Sequence, residues 1–200
     1  IANPNNPTGT WVTNQELNRF LDSVPSRIWV VLDEAYFEYV DDPEYPHGLE
    51  LLTKYSNLIV TRTFSKAYGL AALRVGYSVS SVEFAGVLNR VRQPFNVNSL
   101  ALVAALSALG DQEFIENSVR ANERGMAQIS SGLDKLNLQV IPSGGNFVTF
   151  DTGGSDTEIF NRLLSKGVII RPIAEYGLPG FVRVTVGLEP ENARFLEALG

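Results

Sequence analysis

The 200 residues contain no cysteine. Disulfides, Cys-ligated zinc, iron–sulfur clusters and cysteine nucleophiles are thereby excluded. A single histidine, His47, rules out a multi-His metal site and most histidine-based triads. The longest nearly apolar run, Leu100 to Leu109 (LALVAALSAL), is too short to span a bilayer and reads as a buried helix. No secretory leader pattern is visible, so the expected compartment is the cytoplasm, with no membrane partner. Basic residues are in the minority, 16 Lys+Arg against 22 Asp+Glu, for a formal charge of −6. That balance argues against nucleic acid as the main partner, because phosphate backbones want a basic surface. It leaves room for a small basic pocket that takes one anion.

What is present is an ordinary globular mixture, 44% hydrophobic and 19% charged, long enough to bury a core without staples. The chain opens Ile1-Ala2-Asn3 and closes at Gly200 on a predicted helix. Both ends look cut, and the expectation is a piece of a longer polypeptide. Apolar runs alternate with amphipathic segments, which predicts an α/β protein. Thr13 to Val24 reads as a helix with a capping box, Thr13 with Glu16. Ile28–Leu32 (IWVVL) reads as a buried parallel strand, followed by two more at Leu58–Thr61 and Arg74–Val79. Asp41–Gly48 (DDPEYPHG) is a surface loop. Helices are predicted at Ser99–Gly110 and Asp111–Leu136. Short strands follow at Gln139–Ile141, Asn146–Phe150, Gly167–Ile170 and Phe181–Val186, with helices at Thr157–Lys166 and Glu191–Leu199. The expected division is residues 1–115, a mostly parallel sheet with flanking helices, and residues 116–200, a small α+β domain.

Four stretches can carry chemistry. Asn3 to Gly9 (NPNNPTG) is a rigid turn with outward polar side chains; Asn6-Pro7 is a candidate cis peptide. Asp33-Glu34-Ala35-Tyr36 follows the first strand directly, where ligands bind in parallel sheets. Taken alone it also fits an N-cap Asp beside a packed Tyr. Thr61 to Leu70 (TRTFSKAYGL) follows the second strand, with Arg74 eight residues beyond Lys66. The hydroxyls of Thr63 and Ser65 with a fixed cation suit a phosphate monoester. A lysine near another cation in a partly desolvated site turns nucleophilic toward carbonyls. Alone, these residues also fit a surface lysine and a structural arginine. Arg171 follows GVII, and Arg183 sits inside FVRVTV, as an edge charge or an anion receptor. Together, a turn Asn, a strand-end Asp, a strand-end Lys and two anion-binding Arg form the set that pyridoxal phosphate wants, with its pyridine nitrogen, phenolic oxygen, aldehyde and phosphate.

The stretches NPNNPTG, DEAYFEY, TFSKAYGLAALRVGY, VRQPFNVNSLA, SGGNFVTF and VRVTVGLEPENARFL resemble fold-type I, aspartate-aminotransferase-like PLP enzymes. More narrowly they resemble the histidinol-phosphate aminotransferase family, in the family's order and across nearly the whole chain. Ala72 stands where the family usually has Gly. The resemblance covers the C-terminal half, or slightly more, of a member. It implies a partial PLP-transferase large domain and a small C-terminal domain. It implies pyridoxal 5'-phosphate as cofactor, with Lys66 as the covalent anchor and proton shuttle. Asp33 would pair with the pyridine nitrogen. Asn6 and Tyr36 would hold the phenolic oxygen. Thr63, Ser65 and Arg74 would hold the phosphate. Arg183, assisted by Arg171, would bind the substrate's distal acidic group, with Asn6 on the substrate side as well. The implied reaction passes the amine of histidinol phosphate to 2-oxoglutarate, in a cytoplasmic homodimer. Other readings remain at this stage: an aromatic-amino-acid aminotransferase of the same subfamily, a PLP-dependent decarboxylase of a phosphorylated amino acid, a non-catalytic fragment lacking the N-terminal part of the site, and an unrelated binding module. The missing half should leave apolar surface and a sheet edge exposed.

Overall fold

The computed structural model describes all residues, 1–200. The chain forms two compact units. The first comprises Ile1–Pro4 and Trp11–Glu116, and the second Asn5–Thr10 and Asn117–Gly200.

In the first unit, helix α1 (Asn14–Ser23) starts at the Thr13–Glu16 capping box, which is fully formed. Leu17 and Leu21, one turn apart, turn its apolar side inward. Strands β1 (Val30–Asp33), β2 (Leu58–Thr63) and β3 (Gly76–Ser80) form one sheet in that order. Val30, Leu32, Leu58 and Val60 pack with Leu17, Leu21 and Tyr55 into one core. The short α2 (Gly48–Leu51) lies beside β2. Helix α3 (Val82–Val91), absent from the sequence reading, is capped by Ser81 and meets the sheet through Phe84 against Trp29. Helix α4 (Ser99–Gly110) places Ala101 and Ala105 over Phe64 and Val75.

Three expectations need correction here. The sheet is mixed, not mostly parallel: β1 and β2 are parallel, but β3 runs antiparallel to β2. A parallel return needs a long crossover, usually a helix. Residues 64–75 instead wind through tight turns and a 3-10 turn at Ala71–Leu73, which delivers the chain back in the opposite direction. Helix α4 is not buried: its alanines face the core, whereas Leu100, Val103 and Leu106 are largely exposed. Gly167–Ile170 is not a strand. Gly167 and Val168 close the end of a helix through bonds to Leu164 and Leu163, and pairing begins only at Arg171.

The second unit is a four-stranded antiparallel sheet, β4 (Val140–Ile141), β5 (Phe147–Asp151), β7 (Phe181–Thr185) and β6 (Arg171–Pro172), in that spatial order. Helices α5 (Gln112–Lys135), α6 (Asp156–Ser165) and α7 (Glu189–Leu199) supply Ile129, Leu133, Leu163 and Phe195. These cover the face that carries Val148, Phe150 and Val182. Residues 5–10 bond to the segment around the opposite face: Thr149 donates to the carbonyl of Pro7, and the Gly144 amide to the carbonyl of Gly9. β5 is therefore covered on both sides, although it lies in an antiparallel sheet. No helix is long and apolar enough to cross a membrane.

Candidate active site

Strand alternation builds the site in the first unit. Asp33 pairs with Thr61, and Thr63 pairs with Gly76 across the next ladder. Residues paired directly share a face, and so do residues two apart. Asp33, Thr61, Thr63 and Gly76 therefore lie on one face at the carboxyl ends of β1 and β2. Gly76 lets β3 approach β2 closely there, since a Cβ would meet the Arg62 backbone carbonyl at 2.7 Å. Past Thr63 the chain turns sharply. The Ser65 amide donates to Thr63 Oγ1 at 3.1 Å, and the Gly69 amide to the Lys66 carbonyl at 2.9 Å. Arg74 is held with a left-handed backbone, φ +53°, and its Nη1 donates to the Ala71 carbonyl at 2.9 Å and lies 3.5 Å from Ser65 Oγ.

The result is an open pocket of about 430 Å³ whose walls include Asp33, Thr63, Ser65, Lys66 and Arg74. Tyr36 is buried, and Lys66 Nζ lies 5.2 Å from the centre of its ring. Asp33 Oδ1 accepts from the Ala35 amide at 3.1 Å. Neither Lys66 nor Arg74 has a carboxylate within ion-pair distance. The donor set fits a flat ligand with a phosphate: two hydroxyls and a guanidinium for the phosphate, a carboxylate for a protonated nitrogen and an amine for a carbonyl.

The sequence reading missed two residues of this region. Glu34 is fully buried, and its carboxylate takes Arg62 Nε at 2.9 Å and Nη2 at 2.8 Å. Burial pushes the Glu34 carboxyl above its usual range, and the Arg62 charge works against that. A usable signal was there: a carboxylate one residue past an apolar strand, with an arginine inside the neighbouring strand, reads as a buried pair.

Asn6, Arg171 and Arg183 belong to the second unit. Both Asn3–Pro4 and Asn6–Pro7 peptide bonds are cis. Arg183 pairs with Thr149 on one side and Arg171 on the other, so the three share a face. Arg183 Nη1 donates to Asn6 Oδ1, and its guanidinium lies over Phe147, 5.2 Å from the ring centre. The structure thus brings Asn6 and Arg183 together. It turns Arg171 aside: its Nη2 bonds Glu175 Oε1 at 2.8 Å, on an exposed edge. A cavity of about 590 Å³ by Arg124, Gln128 and Glu189 contains none of the residues singled out from the sequence.

A mixed α/β unit with an aspartate and a lysine after adjacent strands, beside two hydroxyls and an arginine, has the donor set that suits pyridoxal phosphate. Residues 1–199 match the model of the aminotransferase class I and II family, and the chain belongs to that family. It is 58% identical over 199 residues to histidinol-phosphate aminotransferase 2 of Pseudomonas fluorescens, covering 100% of this chain and 54% of that protein. The chain spans about half the length of the curated relatives it matches. Histidinol-phosphate aminotransferase from Sinorhizobium meliloti, solved in complex with pyridoxal-5'-phosphate, superposes with a TM-score of 0.91 at 32% identity, over 100% of this chain and 55% of that one. L-threonine-O-3-phosphate decarboxylase from Porphyromonas gingivalis superposes at 0.86 with 28% identity, over 100% and 62%.

Proposed function

We propose that this chain carries the lysine-bearing part of a histidinol-phosphate aminotransferase, which transfers the amine of histidinol phosphate to 2-oxoglutarate and yields imidazole-acetol phosphate and glutamate. The observation that carries this reading is the convergence of Asp33, Lys66 and Arg74, with Thr63 and Ser65, on one pocket. Similarity at 52–58% to histidinol-phosphate aminotransferases supports the substrate. Among the solved structures the decarboxylase superposes less well, with a TM-score of 0.86 against 0.91.

Bound pyridoxal phosphate supplies an electron sink for the carbon that bears the amine. The residues serve it as follows. Arg74, Ser65 and Thr63 bind the phosphate through charge-assisted and hydroxyl hydrogen bonds. Asp33 holds a proton on the pyridine nitrogen. Tyr36 hydrogen-bonds the phenolic oxygen. Lys66 would anchor the carbonyl carbon between turnovers and, once the incoming amine has displaced it, its free amine would hold and move the proton at the substrate carbon. Arg183, with Asn6 as its partner, binds the distal phosphate of the substrate. Residues 1–115 form the cofactor domain and 116–200 the small domain of a cytoplasmic homodimer.

The test is reductive trapping. The chain is incubated with pyridoxal phosphate, reduced with borohydride, digested and mapped by mass spectrometry. Stoichiometric labelling of Lys66, lost in Lys66→Ala, is the expected result. Scattered labelling of surface lysines would overturn the pocket assignment. Competition of histidinol phosphate against phenylalanine for the loaded protein then separates this substrate from an aromatic amino acid.

A further inference from the structure

Among 22 Asp and Glu residues, Glu34 is the only one fully buried. It stands between Asp33 and Ala35, both of which border the pocket. Both carboxylate oxygens are used. Oε1 accepts from the Gly48 amide at 2.8 Å, at the start of α2, and Oε2 accepts the two guanidinium nitrogens of Arg62. The Arg62 plane lies over Phe37, 3.6 Å from the ring centre. The Glu34 amide donates to the Thr61 carbonyl at 2.9 Å, one step past the last paired residues of β1 and β2. One side chain thus ties together the end of β1, the end of β2 and the start of α2.

A buried ion pair is a weak stability device, because an apolar pair of the same shape often does as well. Its best-attested use is to specify one register. Register matters here: a one-residue slip of β1 along β2 would turn Asp33 away from the pocket. Arg62 also borders the pocket, and with its charge matched by Glu34 the unpaired cations facing a ligand are Lys66 and Arg74.

We propose that the Glu34–Arg62 pair is a positioning element for the cofactor pocket. It locks the ends of β1 and β2 so that Asp33 and Lys66 address one ligand, and it withholds Arg62 from competing for the phosphate. The inference rests on the reading of the pocket as a pyridoxal-phosphate site, and the experiment keeps the two apart.

Wild type, Glu34→Gln/Arg62→Met, Arg62→Lys and Asp33→Asn are compared by thermal midpoint, by pyridoxal phosphate affinity and by the pH midpoint of the bound chromophore. The double variant keeps the bond to the Gly48 amide and removes both charges together. It is expected to melt close to wild type. It should nevertheless bind about tenfold more weakly, the lower end of what losing an orienting partner does at metal-ligand sites. Its chromophore midpoint should move in the same direction as that of Asp33→Asn. Arg62→Lys, which retains the charge but not the two-pronged contact, should fall between. Wild-type affinity and midpoint in the double variant would overturn the inference and leave a purely structural pair. If the double variant does not fold, Arg62→Lys decides: unchanged affinity overturns the inference, and weaker binding at an unchanged melting point supports it. Absence of a Lys66 adduct in the wild type would instead sink the pocket reading, and this inference with it.

Discussion

Arg74 combines two roles that one substitution can separate. Its left-handed backbone strains a residue with a Cβ by about 1 kcal/mol, which glycine would relieve. In the proposed site its guanidinium would supply charge-assisted hydrogen bonds worth about 1.5–3 kcal/mol toward a phosphate. Arg74→Gly should therefore melt at or above the wild-type temperature while binding pyridoxal phosphate about 10- to 100-fold more weakly, by fluorescence titration. A parallel loss of affinity and stability would mean that Arg74 acts only by holding the 65–74 turn. Single residues were the most legible scale in the sequence. Asp33 was readable because it directly follows a strand-like run and Lys66 because it lies in the turn after the next one, and the structure puts both on the pocket wall. Glu34 carried a signal, a carboxylate just past an apolar strand, but its pairing with Arg62, 28 positions away, is fixed only by the register of β1 on β2.

At the scale of elements, local chemistry explains the ends and tertiary packing explains the faces. The α1 capping box was readable from Thr13 and Glu16 alone. Hydrogen bonds from Thr13 hold the Glu16 carboxyl below its usual range, and the Tyr55 hydroxyl and Lys54 do the same for Asp22. Groups depressed in the folded state add stability above their unfolded pKa and lose it as pH falls through the folded value. The contribution of these two groups should thus stay near-constant from neutral pH down to the carboxylate range and decline below it, read as the difference between urea titrations of the wild type and of variants lacking the bonds. Thr13→Ala should lower stability by about 1 kcal/mol at neutral pH and flatten that acid decline. In the second unit, α5 approaches the segment from the end of β7 into α7 so closely that a Cβ on Gly125 would stand 2.3 Å from Val186 Cγ1 and 2.9 Å from Asn192 Nδ2. Gly125→Ala should destabilise by about 1–3 kcal/mol through overpacking, despite alanine's better helix propensity, and calorimetry would detect it. An increase in melting temperature would show that the helix can shift to make room.

For the whole molecule, the exposed apolar groups matter most. Leu100, Val103 and Leu106 lie largely open on α4, and Phe95 and Val82 are almost fully exposed. β3 is an edge strand of its sheet. Soluble monomers rarely leave such a patch uncovered. The isolated chain is therefore expected to self-associate in sedimentation velocity, and Val103→Lys/Leu106→Lys to shift it toward monomer with an unchanged melting point. A wild-type chain that stays monomeric at all concentrations would show that this face tolerates water.

The sequence by itself determined the α/β alternation, the α1 capping box, and the order Asn6, Asp33, Lys66, Arg74, Arg183 from which the pyridoxal-phosphate reading followed, because these depend on residue type and short spacing. Tertiary structure alone decided three other features. The short return through residues 64–75 makes β3 antiparallel. The small alanines of α4 face the core while its leucines face outward. Arg171 is drawn to Glu175, whereas its cross-strand neighbour Arg183 meets Asn6. Each turns on which groups meet across long stretches of chain, and local pattern carries no information about that.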